Sequence, residues 1–287
     1  MPGAPLVTVV TDSTAYLPPA VIDRYGLTVV PLQVVLDGRV GTEGREVTPA
    51  DVAAALDHRR AKVSTSRPPP TAFVSAYDEA AKATGATDIV SVHLSGELSG
   101  TVESARLAAA EVAPRLRVRV VDSRSTAMGL GFAVMAAAEA AARGGGLAAV
   151  EQAAVDQAAR TSSLFYVDTL EHLRRGGRLG PAAALVGSVL AVKPILHVVD
   201  GKIASLAKVR TASKALARLE ELAVEAAGDG PVLLAVHHLA APNRAGELAD
   251  RLRYRIAEAT DVYVSEVGAV VGAHVGPGLL GVVVARR

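Results

Sequence analysis

Apolar residues along this chain fall into two alternating patterns. Short runs rich in Val, Ile and Leu at residues 6–10, 27–36, 89–92 and 118–121 end in polar or glycine residues, which predicts strands. Between them lie alanine-rich stretches with helical spacing. Residues 71–83 place Phe73, Ala76, Tyr77, Ala80 and Ala81 on one stripe, and 101–113, 128–142 and 147–159 read the same way. Residues 49–56 follow Thr48, an N-cap type with Pro49 at the first helical position. A repeated strand, polar loop and helix predicts a parallel sheet with helices on its faces. Ligands in such sheets gather at the carboxyl ends of the strands. The loops Thr11-Asp12-Ser13, 95–101 and Asp122-Ser123 fall there, whereas Ser64-Thr65-Ser66 reads as part of a Pro-rich connection.

The rhythm changes near residue 160. After a strand at 164–167 come a short helix and the Gly176-Gly177 break. The β-compatible runs 192–199 and 202–209 flank Asp200-Gly201, a dipeptide that predicts a hairpin and brings in antiparallel pairing. Helices at 212–226 and 243–254 and strands at 232–237, 262–267 and 280–284 complete the chain. The expectation is an α/β protein of two domains: residues 1–160 with a parallel sheet and the hydroxyl-bearing loops at its strand ends, and 161–287 with a mixed sheet and helices.

Composition narrows the function. Three Phe, six Tyr and no Trp among 287 residues argue against aromatic platforms for single-stranded nucleic acid. A net charge of +1 gives no basic footprint for nucleic acid. The absence of cysteine removes disulfides, thiolate chemistry and cysteine zinc sites. The first ten residues lack the basic start of a signal peptide, and the least polar window, 126–142, is short for a spanning helix and contains Glu139. A cytoplasmic protein is the expectation.

Several mechanisms fail on spacing. Gly96-Glu97-Leu98-Ser99-Gly100 misplaces its glycines for a nucleophile elbow, and Gly129-Leu130-Gly131 lacks the third glycine of a dinucleotide fingerprint. His237 and His238 are adjacent, so on a strand they point to opposite faces; one packed and one exposed is expected. What remains is a set of hydroxyl-rich loops. Ser99 or Thr101 can be read as a helix cap, or as donors that, with free backbone N–H groups at a helix start, suit an anion. Sparse Lys and Arg in these loops favour a carboxylate over a phosphate.

The motifs Thr11-Asp12-Ser13, Thr65-Ser66-Arg67-Pro68, Leu98-Ser99-Gly100-Thr101 with Glu103-Ser104-Ala105, and Val121-Asp122-Ser123 occur in series. They are followed by Leu170-Glu171, Leu173 through Arg178, Lys193-Pro194-Ile195-Leu196 and His274-Val275-Gly276-Pro277-Gly278. Together, spanning residues 6–284, they resemble the DegV family. The resemblance implies two α/β domains with a long-chain fatty acid between them, its tail in an apolar tunnel, and no other cofactor or metal. It further implies a non-catalytic subunit that presents the carboxylate to an ATP-dependent fatty acid kinase subunit, yielding an acyl phosphate for phospholipid synthesis. Transient contact with a membrane surface is a further expectation.

By motif match, Thr65 and Ser99 contact the carboxylate, with Ser66, Gly100 and Thr101 in the same loops. His274 lies near the headgroup, and Arg178 reaches the headgroup or the kinase subunit. A protonated His274 would add charge complementarity. Arg67, Pro69 and Gly96 depart from the family pattern beside these loops; Arg67 either lends its charge to the carboxylate or lies at the surface. Two alternatives stay open: a hydrolase or phosphotransferase using Ser99 or His274 as nucleophile, and a lipid-sensing regulatory module.

Overall fold

The computed structural model describes residues 7–57, 62–185 and 193–287. In chain order the first part comprises β1 (Val7–Asp12), α1 (Pro19–Tyr25), β2 (Thr28–Val30), β3 (Gln33–Leu36), β4 (Arg39–Thr42), α2 (Pro49–Asp57) and β5 (Val63–Ser66). Next come α3 (Pro70–Thr84), β6 (Asp88–His93), α4 (Thr101–Val112), β7 (Arg117–Asp122), α5 (Met128–Ala142) and α6 (Leu147–Ala159). The remainder runs β8 (Thr161–Tyr166), α7 (Glu171–Arg175), β9 (Lys193–Val199), β10 (Lys202–Val209), α8 (Ala212–Ala227) and β11 (Val232–His238). It ends with α9 (Pro242–Arg255), β12 (Ala259–Glu266), α10 (Ala269–Val275) and β13 (Leu280–Arg286).

The expected parallel sheet is present, ordered β2-β1-β6-β7 with every pairing parallel. All six residues of β6 are buried, as a central strand covered on both faces requires. Phe73, Ala76, Tyr77 and Ala80 of α3 meet Ala105, Ala108 and Val112 of α4 over Val10, Val30 and Ile89. The stripe read from residues 71–83 is therefore the buried face of α3. α5 and α6 pack on each other and reach β1 and β6. Nearly all of α5 is buried, which fits its lack of polar residues before Glu139.

The mixed sheet is ordered β10-β9-β8-β13-β11-β12, antiparallel except for the parallel β11–β12 pair. The hairpin turns at Asp200 (φ 51°) and Gly201 (φ 78°), the two positive φ angles that a two-residue turn between twisted strands demands. Leu6 and Val192, at the starts of two predicted strands, lie outside the described residues. A third, three-stranded sheet is ordered β4-β3-β5.

Three local expectations are corrected. Residues 27–36 form two strands in different sheets, because Pro31 has no N–H to continue the ladder. Ser64-Thr65-Ser66 belongs to strand β5 rather than to an irregular connection. His237 and His238 are both buried, since β11 has every residue covered.

The chain divides into two compact units, Met1–Leu32 with Ser66–Ala159, and Gln33–Thr65 with Arg160–Arg287. The second unit thus contains an excursion that a single boundary at 160 does not describe. Within it, α2 packs on α10, and Glu43 Oε1 accepts the Val270 N–H at 2.8 Å. Thr48 and Asp51 close the start of α2 reciprocally: Asp51 accepts from the Thr48 N–H at 2.8 Å, and Thr48 Oγ1 accepts from the Asp51 N–H at 3.2 Å.

Candidate functional site

At the carboxyl ends of β1 and β6 most hydroxyls are already used. Asp12 Oδ1 accepts from the N–H and hydroxyl of Thr14 at 3.0 and 2.6 Å, and Oδ2 lies 3.0 Å from both His93 Nδ1 and the donating Leu94 N–H. His93 Nε2 lies 2.6 Å from Ser91 Oγ, which accepts the Tyr77 hydroxyl at 3.0 Å. An aspartate, a histidine and a serine in line have the order of a hydrolytic triad. Here all three are fully buried, as is Tyr77, whose hydroxyl occupies the serine. No substrate reaches Ser91; the chain of bonds fastens β1 to the start of the loop after β6. Thr11 donates to Val92 O at 2.8 Å and Ser13 accepts the Leu32 N–H at 3.0 Å, so this motif is structural.

The loop after β6 is held from the next strand. Asp122 Oδ2 accepts the Gly96 N–H at 3.1 Å, and a Cβ on Gly96 would lie 3.0 Å from that oxygen. The departure at Gly96 therefore leaves this contact unobstructed. α4 begins at Thr101 with Gly100 as N-cap and no side-chain cap bond, so neither Ser99 nor Thr101 acts as the cap. Their hydroxyls instead pair with each other at 2.9 Å. Arg67 is exposed and lies across Gly100, its Nη1 donating to Gly100 O at the long distance of 3.5 Å. Ser66 is exposed and donates to Arg67 O at 3.3 Å. Among the described residues no base or orienting acid is bonded to Ser99, and this counts against its reading as a nucleophile.

In the second unit, β5 and α10 bring together two residues 209 positions apart: Thr65 Oγ1 lies 2.8 Å from His274 Nε2. Burial, with Arg178 as a lesser cause, lowers the His274 pKa to about 4, so the imidazole is neutral at physiological pH. The charge complementarity that a protonated His274 would add is therefore not supplied at that pH. His274 Nδ1 is buried without a hydrogen-bond partner among the described residues, so none of them orients the ring as a general base. Arg178 lies near it, with Nη1 donating to Gly176 O at 2.6 Å.

The two glycine-rich motifs owe their glycines to a reciprocal arrangement of α7 and α10. A Cβ on Gly176, which follows α7, would overlap His274 Nδ1 of α10; a Cβ on Gly276, which follows α10, would overlap the His172 ring of α7. Each histidine thus rests on the other segment's glycine. Gly276 also needs its freedom for φ 74°. Gly278 lies against Asp168, whose Oδ1 accepts the Tyr166 hydroxyl at 2.6 Å. His172 Nδ1, like that of His274, is buried without a partner, and burial lowers its pKa, followed by the nearby Arg175. On the outer face of α7, Glu171 binds Arg174 and Arg175 at 2.8 Å, and Arg174 leads in holding its carboxyl down at about 2.

A separate cleft of about 480 Å³ in this unit is lined by Asp168, Ala240 to Arg244, Pro277 and Gly278. It includes neither Thr65 nor His274. Among the described residues no group of three or more His, Asp or Glu is placed to hold a metal, and no helix is long and apolar enough to cross a membrane.

Sequence reasoning missed the Asp12–His93–Ser91 chain and His172. The alternation Ser91-Val92-His93 on a strand was the available signal for the first, since it puts serine and histidine on one face. Nothing in the sequence marked His172 apart from its place before the Gly-Gly pair.

Fold and site define a two-unit α/β protein in which a strand hydroxyl, Thr65, meets a buried imidazole, His274, within the second unit. The chain belongs to the DegV family. A family model described as "Uncharacterised protein, DegV family" matches residues 6–287. A DegV domain-containing protein of Streptomyces coelicolor is 58% identical over 281 residues, covering 98% of this chain and 99% of that one. Two solved structures share the fold at 33% identity, each covering 98% of this chain and 99% of its own. One is a DegV family protein from Thermus thermophilus described by its fatty acid binding (TM-score 0.90), the other DegV from Bacillus subtilis, described as a fatty acid binding protein (TM-score 0.89).

Proposed function

We propose that this chain binds one long-chain fatty acid and presents its carboxylate to an ATP-dependent kinase subunit. There a carboxylate oxygen would attack the γ-phosphorus, ADP would leave, and the acyl phosphate would pass to phospholipid synthesis. The observation that carries the binding step is the Thr65–His274 pair, a hydroxyl held by a neutral imidazole, in a fold whose relatives bind fatty acids. Ser99 with Thr101 is the second proposed donor pair, Ser66 and Gly100 flank these donors, and Arg178 is the proposed nearby cation. Burying a chain of about 16 carbons at roughly 0.8 kcal/mol per methylene supplies on the order of 10 kcal/mol before the cost of association. The hydroxyls then serve to keep the carboxylate ionised, since an unpartnered one would take up a proton.

Solvent extraction with native mass spectrometry of the recombinant protein should recover one long-chain acid per chain. Thr65→Val should weaken affinity for palmitate by roughly 10- to 100-fold, the range for a hydrogen bond to a charged group. Absence of affinity for any long-chain acid would overturn the binding step. Binding without acyl phosphate formation by any kinase subunit of the source organism would overturn the presentation step and leave a lipid-sensing role.

A further inference from the structure

The two histidines resting on each other's glycines determine more than the packing of α7 on α10. A neutral imidazole has one N–H, and the two nitrogens of His274 face different surroundings. Nδ1 is buried, has no hydrogen-bond partner among the described residues, and lies so close to Gly176 that a methyl group there would overlap it. No third group fits between them. A proton on Nδ1 would be an orphaned buried donor directed at a Cα–H, the costlier of the two ways to leave that atom unpaired. A lone pair on Nδ1 faces the same Cα–H as a weak acceptor. The proton therefore belongs on Nε2, which is 2.8 Å from Thr65 Oγ1. Thr65 accepts that proton, and its own hydroxyl hydrogen must be given to something else.

We infer that Gly176 and His172 act as positioning residues which fix His274 in its Nε2–H form, making Thr65 an obligate donor and selecting acceptor-only headgroups, carboxylates, over alcohols and primary amides. An alcohol or amide bonds well where the site can switch between donating and accepting. This site cannot switch without placing a proton against Gly176. His172 completes the arrangement from the other side, since its ring on Gly276 fixes the segment that follows His274. Gly176 has φ near −72°, an ordinary backbone conformation, so space, not backbone strain, demands glycine there.

The headgroup preference rests on the fatty-acid reading of the site; the tautomer does not. Long-range proton–nitrogen spectra of histidine-labelled protein, with His274→Gln assigning the signals, should show His274 protonated on Nε2 and bare on Nδ1. A protonated Nδ1 overturns the inference whether or not lipid binds. Affinities for palmitate and hexadecanol should then differ by at least tenfold in the parent protein. His274→Gln, which retains an N–H at the Nε2 position, should keep most of that ratio. His274→Leu and Gly176→Ala should bring it close to one. Equal affinity of the parent for acid and alcohol would overturn the selection while leaving fatty acid binding intact. If Gly176→Ala does not fold, the Gln and Leu pair decides: equal ratios in the two also overturn it.

Discussion

Each unit of this protein joins a histidine ring to a hydroxyl, and the two pairs are finished differently. In the first unit His93 uses both nitrogens, on Asp12 and Ser91, and Tyr77 closes the far end. In the second, His274 uses Nε2 on Thr65 and leaves Nδ1 without a partner against a glycine. A network in which the donors and acceptors are matched has nothing left to offer a ligand and acts as a fastener. A pair with a neutral ring and an undirected hydroxyl hydrogen has one bond still to make. The same residue types thus serve stability in one place and, in the function proposed above, recognition in the other; the discriminating fact is which atoms are already paired.

The comparison breaks most visibly at Asp12. Asp12→Ala leaves His93 and three backbone or hydroxyl donors unmatched in the core and should cost about 3–5 kcal/mol in urea unfolding. The folded fraction should keep the fatty acid affinity of the parent. Loss of affinity at unchanged stability would make this network part of the binding site.

A pH series sharpens the same contrast. Burial depresses the pKa of both His274 and His237 from 6.5 to about 4. The unfolded chain therefore binds more protons than the folded one as pH falls below about 6.5, so stability declines from there down to about pH 4 and then levels. For the almost fully buried His237, at about 1.4 kcal/mol per pKa unit, the decline is on the order of 3 kcal/mol. Urea midpoints at pH 7 and pH 5 should show the loss, and His274→Gln should make it shallower. An unchanged slope would mean that His274 is charged in the folded state.

The smallest effect is expected at Ser99. With Gly100 as N-cap and no cap bond from Ser99, Ser99→Ala should shift stability by no more than about 0.5 kcal/mol, whereas a lost cap costs about 1 kcal/mol. A clear fall in Tm would restore Ser99 to a structural role.

Much of the architecture was legible because local signals agreed with one another. The stripe in α3, the Thr48 and Pro49 start of α2 and the Asp200-Gly201 turn each reflect a force acting within a few residues. Residues 27–36 misled because their apolar character is continuous, although Pro31 marked the break. The placement of Thr65 on a strand was not legible, since β5 owes its conformation to β3 rather than to its own Ser and Thr content. One burial also escaped the sequence: His237 and His238 look alternate on a strand, but only the sheet's neighbours reveal that both faces are covered. The motif glycines were visible as a pattern, yet their cause lies in histidines about 100 residues away.

The excursion Gln33–Thr65 has a consequence for how the molecule is made. Glu43 must wait for Val270, 227 residues later, to receive its hydrogen bond. At synthesis rates of roughly 5–20 residues per second, that delay is about 10–45 seconds. Throughout it the nascent chain carries β3, β4 and α2 ahead of α10 and the rest of their unit. Thr65 is translated 209 residues ahead of His274, so its hydroxyl waits almost as long for its imidazole partner.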